Sequence, residues 1–151
     1  MPSPARVLVV ANRTAATPQL RAAVADRAER GPARFHLVVP ASPHGMHRVV
    51  DPEVAGREEA AARLEEALPM LEEAAGSEVT GEVGTADPLA AIMDATYSHG
   101  FDEIIVSTLP RRLSRWLGQD LPSKARGLGL PVTHVEMPDA AAPPEEPLAA
   151  R

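Results

Sequence analysis

A chain of 151 residues is long enough for one domain with a full hydrophobic core and too short for two ordinary ones. Hydrophobic residues make up 44% of it but aromatic residues only 3%, so Ala, Val and Leu must fill the core and broad ring-stacking platforms are not expected. A formal net charge of -6 argues against a general nucleic-acid or anionic-membrane binder, and the lack of cysteine excludes disulfides, thiolate nucleophiles and cysteine-based metal sites.

The first residues lead into an apolar run too short for a signal peptide, and no run approaches the roughly 18 apolar residues of a spanning helix, so a cytoplasmic protein is expected. Residues 6–11 form a continuous apolar run ending at Asn12, Arg13 and Thr14, the pattern of a central parallel strand buried on both faces. Thr17 and Pro18 supply an N-cap and a first-turn proline, and Leu20, Ala23, Val24 and Arg27 continue at helical spacing until Gly31 and Pro32. Residues 34–40 are a second strand, closed by Pro40, which has no ladder donor to offer. Residues 41–54 read as an irregular connection over the carboxyl edge of the sheet.

A long helix is expected over 57–75, with Ala61, Leu64, Leu68 and Leu71 on the buried face and glutamates between 58 and 73 on the solvated one. Pro69 should kink that helix near Glu65 or split it in two. Residues 79–84 alternate like an edge strand. Asp87 and Pro88 then open a helix with a capping carboxylate and a first-turn proline, and Leu89, Ile92, Met93 and Thr96 are its expected buried stripe. Residues 103–107 form the fourth strand. A basic, irregular helix follows to Leu128, interrupted at Pro122, and Gly129 supplies the left-handed position before a fifth strand at 131–135.

Five strands alternating with helical connections predict an α/β fold: a five-stranded parallel sheet, order 3-2-1-4-5, with helices on both faces. The lead covers residues 1–5, the domain 6–137, and a Pro/Ala/Glu-rich tail, expected to be disordered, 138–151. In this order the topological switch lies between strands one and four, and brings Asn12 and Thr14 beside Ser107, Thr108 and Pro110.

With the motifs in place, the chain resembles the universal stress protein family over nearly all of residues 6–136. Asn12, Arg13 and Thr14 stand where the family has an Asp-Gly-Ser turn after its first strand. Gly84 to Pro88, followed by Ala91, Ile92 and Ala95, is similar to the family's Gly-x-Pro stretch and third helix, and the approach through Asp102 to Val106 resembles its "DLIVxG" strand. The resemblance implies an adenine nucleotide alpha hydrolase-like sandwich that binds ATP or AMP, or has lost that binding. The family's glycine signature after strand four, Gly-x2-Gly-x9-Gly-Ser/Thr, is altered: Ser107 stands at the first glycine, Pro110 at the second, and Gly118-Gln119 at the final pair, with a shortened spacing. Proline has no N–H for a phosphate and cannot take glycine's positive φ angles. Arg111, Arg112 and Arg115 are available instead, since arginine forks match phosphate geometry.

The candidate cofactor-binding residues are thus Asn12, Thr14, Pro40 and Gly84 from the first three strand ends, and Ser107, Thr108, Arg111, Arg112, Arg115, Gly118 and Gln119 after the fourth. Each also has a plain structural reading: capping hydroxyls, turn residues, or a solvated arginine face. His44 and His47 have no carboxylate or cysteine to complete a ligand set, and His36 and His134 read as paired or edge-facing imidazoles. Trp116 reads as an anchor against the sheet or a partner. No catalytic set is visible, and no metal is expected beyond the Mg²⁺ that would accompany ATP. The expectation is a non-enzymatic regulatory or stress-response domain, homodimeric through strand five as the resemblance implies, whose switch point could hold an adenine nucleotide or other anion. Two alternatives stay open: a small nucleotide hydrolase or phosphoryl-transfer enzyme using Asp87 or Asp120, and a protein-interaction module that has lost ligand binding.

Overall fold

Residues 3–41 and 52–138 are described by the computed structural model. They form β1 (Ala5–Val10), α1 (Pro18–Glu29), β2 (Ala33–Pro40), α2 (Pro52–Ala75), β3 (Thr80–Gly84), α3 (Pro88–His99) and β4 (Glu103–Thr108). A 3-10 turn (Arg111–Leu113) and two short helices, α4 (Arg115–Gly118) and α5 (Leu121–Arg126), then lead to β5 (Val132–Glu136). The sheet is parallel throughout, in the order β3-β2-β1-β4-β5.

The continuous apolar runs form strands because the sheet is covered on both faces. Successive side chains point to opposite sides, so Val7, Val9, Leu37 and Val39 pack with Leu20 and Val24 of α1 and with Ala60, Ala67 and Leu71 of α2. Leu8, Val10, Val38, Ile104 and Val106 face the other way, onto Ala91, Ile92 and Ala95 of α3 and Leu121 and Ala125 of α5. Each fully buried Leu or Ile contributes about 2 kcal/mol by leaving water. Small alanines on α2 and α3 let those helices come close to the sheet, as the aromatic-poor composition requires.

Thr17 caps α1 as expected, its hydroxyl accepting from the Leu20 N–H, and Gly129 takes a φ of 91°, which glycine adopts without a Cβ penalty. Other expectations are corrected. Helix α2 begins at Pro52, inside the stretch expected to be irregular; the first helical position needs no N–H, so proline starts a helix as readily as it ends one. Its buried line runs through Ala60, Ala67 and Leu71, with Leu64 and Leu68 partly buried, and Ala61 is exposed. Pro69 lies within α2 without splitting it; Pro69 and Glu65 are both exposed, so the carbonyl deprived of its partner can turn to water.

On α3 the buried stripe is Pro88, Ala91, Ile92 and Ala95, and Met93 is 49% exposed. Asp87 is the N-cap by backbone position, but its carboxylate makes no capping hydrogen bond. After β4 the interruption comes at Asp120, a non-glycine residue at φ 57°, and Pro122 sits in the first turn of α5, where it is compatible with the helix. Trp116 is partly buried against the α3–α5 core, the anchoring role expected of it. The connection over 42–51, with His44 and His47, and the tail over 139–151 lie outside the described residues.

Candidate functional site

Parallel pairing of β1 with β4, Val10 opposite Val106, sets the end of each strand beside the other at the switch point. Asn12, Thr14, Ser107 and Thr108 meet there and are all buried, between 1% and 5% exposed. Burial removes their water, so each polar atom needs a partner within the protein.

The partners link the strand ends across the sheet. The Asn12 side-chain amide donates to the Pro40 carbonyl at 2.6 Å, tying β1 to the end of β2. Its oxygen accepts from Arg63 Nη1 at 2.9 Å, which brings α2 over the same edge. Thr14 and Ser107 share a 2.6 Å hydroxyl–hydroxyl bond between the turn after β1 and the end of β4. Thr108 Oγ1 lies 2.8 Å from His134 Nε2, joining β4 to β5. On the far side the Ala41 N–H donates to the Gly84 carbonyl at 3.0 Å. His134 is held below the ordinary histidine range, chiefly by burial; Glu136 opposes that shift, and Arg126 and Arg111 add to it.

The loop after β4 differs from a glycine cradle in three respects. Pro110 is buried with φ −57° and contributes no N–H. The Arg111 N–H donates to Glu136 Oε2 at 2.9 Å, so a carboxylate of the protein itself holds that donor. Gly118 does not have a positive φ, and a Cβ there would meet nothing within 4 Å, so the position does not depend on glycine. Arg111, Arg112 and Arg115 are exposed, as are Gly118 and Gln119 at the end of α4. Gly84, by contrast, has a steric requirement: a Cβ would lie 2.9 Å from both Ala91 Cβ and Val38 Cγ1, so its role is close packing of α3 on β3.

The structure thus brings together Asn12, Thr14, Pro40, Ser107 and Thr108, and leaves the arginines and the Gly118-Gln119 pair on the surface. Arg63, His134 and Glu136 complete the polar network and were not among the expected site residues. Arg63 lies in a helix whose charged residues read as a solvated face, and nothing local marks the one that turns inward. His134 and Glu136 alternate along β5, which is consistent with a shared direction but does not identify their partners.

No family model matches the sequence, and no curated protein is significantly similar to it. Solved structures are similar in fold. A protein of the universal stress protein family from Burkholderia pseudomallei superposes with a TM-score of 0.61 at 19% identity, covering 87% of this chain and 95% of that one. The universal stress protein from Archaeoglobus fulgidus in complex with dAMP gives 0.57 at 16% identity, covering 89% and 99%. A universal stress protein family protein from Arabidopsis thaliana with AMP bound gives 0.55 at 17% identity, covering 96% and 99%. The five strands, their order and the helices on both faces are common to this chain and to those structures, so the chain has the universal stress protein fold, as the motifs of its sequence imply.

Proposed function

We propose that this chain is a cytoplasmic, non-enzymatic universal-stress-type domain with a regulatory or stress-response role, in which the switch point has become an internally bonded joint in place of a triphosphate cradle. The observation that supports this most is the closed network Pro40–Asn12–Arg63, Thr14–Ser107 and Thr108–His134, in which every buried polar residue of the switch point has a protein partner. A phosphate would have to replace those bonds one for one, because each buried group left unpaired costs about 1–3 kcal/mol. Pro110 and the Glu136 carboxylate on the Arg111 N–H oppose it further. Among the described residues, no helix is long and apolar enough to cross a membrane.

Adenine mononucleotide binding is the second reading. It is favoured by structures of this fold solved with dAMP and AMP, and by Arg111 and Arg115, exposed in the segment that follows β4. The nucleotide hydrolase reading relies on Asp87 and Asp120, both exposed at the starts of α3 and α5. Homodimerisation through β5 belongs to the proposal as well, since β5 is an edge strand of the sheet and, among the described residues, no strand pairs with its outer side.

Calorimetry and thermal shift with AMP, ADP and ATP, with and without Mg²⁺, test the proposal. No binding is expected at millimolar nucleotide. Binding that disappears in Arg111→Ala/Arg115→Ala would establish the second reading, and ATP turnover that persists through repurification would establish an enzyme. A monomer in sedimentation velocity would remove the dimer.

A further inference from the structure

A second polar cluster sits away from the switch point, where α3 ends against the edge of the sheet. His36 of β2, Glu82 of β3 and His99, the last residue of α3, converge there, their donor atoms all within 4.8 Å of one another. They are the one such group of three histidine or acidic residues among the described residues. His36 Nε2 is 3.0 Å and His99 Nε2 3.3 Å from the same Glu82 oxygen, Oε2. Bonds of about 2.0–2.1 Å in a tetrahedral zinc site put neighbouring ligand atoms roughly 3.3 Å apart, so both contacts have the length of a ligand–ligand edge.

The surroundings orient these groups. His36 Nδ1 lies 2.7 Å from Thr80 Oγ1; with an ion bound, an Nδ1–H donated to that hydroxyl would leave the Nε2 lone pair to the metal, the arrangement that outer partners impose on metal-binding histidines. Phe101 walls one side, its ring 5.9 Å from that of His36 and 6.1 Å from that of His99. The imidazoles themselves are 4.8 Å apart. A groove of about 150 Å³ between β3 and α3, with Asp94 and Ser98 on its wall, reaches Glu82.

We propose that His36, Glu82 and His99 form a zinc site, with the two Nε2 atoms and a Glu82 carboxylate oxygen as ligands and water from the groove in the fourth position. Two imidazoles and one carboxylate suit Zn²⁺, whereas Mg²⁺ and Ca²⁺ favour oxygen ligands. A bound ion would join β2, β3 and the end of α3.

The test uses the full chain, stripped of metal with EDTA and exchanged into chelator-free buffer. Titration with ZnCl₂ by calorimetry should give one ion per chain with micromolar or tighter affinity, and Co²⁺ should give the visible absorption of a tetrahedral complex. His99→Ala, which removes an exposed side chain at a helix end, and Glu82→Gln should each weaken binding by at least about tenfold. His47→Ala, in the other histidine pair, should leave it unchanged. Absence of saturable Zn²⁺ binding, or binding undiminished in His99→Ala, would overturn the site, as would loss of the ion in His47→Ala.

Discussion

At the carboxyl ends of β1 and β4, Asn12, Thr14, Ser107 and Thr108 are almost wholly buried and each is held by a different protein partner. At the β2–β3 edge, His36 and Glu82 are half-buried and His99 exposed, and both imidazoles converge on one carboxylate oxygen. The two regions use similar polar chemistry to different ends. Where water is excluded, every donor must be satisfied within the fold, which is what the proposed joint at the switch point requires. Where one side stays open to solvent, the same kinds of group can keep a coordination position for a ligand.

The switch-point half of that comparison can be broken by stability measurements. The largest effect is expected from Asn12→Ala, which removes the bonds to Pro40 and to the Arg63 guanidinium; urea denaturation should show a loss of about 3 kcal/mol, and a loss under about 0.5 kcal/mol would mean that the network is not a joint. Gly84→Ala comes next, at about 2 kcal/mol, because the new Cβ meets Ala91 and Val38 inside the core. Were Gly84 only a ligand-facing position, the same denaturation curve would hardly move.

Ser107→Ala should cost about 1 kcal/mol by leaving the Thr14 hydroxyl unpaired. The double variant Thr14→Val/Ser107→Ala should cost less than the sum of the two single changes, a coupling that a double-mutant cycle reads directly. The smallest effect is a pH dependence. His134 is harder to protonate in the folded chain than in the unfolded one, mainly because it is buried. As pH falls through the ordinary histidine value of about 6.5, the unfolded chain takes up this proton first. The stability that His134 contributes is therefore full above that value and declines below it, levelling once the folded form also protonates. His134→Gln should flatten the stability profile in that window relative to the native chain, and an unchanged slope would show that burial does not govern this histidine.

Much of the fold was legible because its signals are local. The apolar run ending at Asn12, the Thr17–Pro18 helix start and Gly129 each depend on neighbouring residues, and those elements form as expected. The structure departs from the local signals where one rule permits two outcomes. Proline ends a helix or starts one, and Pro52 and Pro122, which read as interruptions, sit in the first turns of α2 and α5. A helical stripe can be shifted by a residue, and Met93 and Ala61, on the expected buried stripes, are exposed. In the candidate site, strand order was enough to bring Asn12 and Thr14 to Ser107 and Thr108. It carried no information about Arg63, which reaches Asn12 from another helix.

By itself the sequence determined a doubly wound parallel sheet and the place where its order reverses, because periodicity and turn residues act over a few positions. Only the tertiary structure decided what the polar residues there do, since burial and hydrogen-bond partners depend on segments far apart in the chain. It also decided that His36 and His99, remote in sequence, meet across one glutamate. No spacing rule reveals that contact, because it is set by how α3 lies on the edge of the sheet.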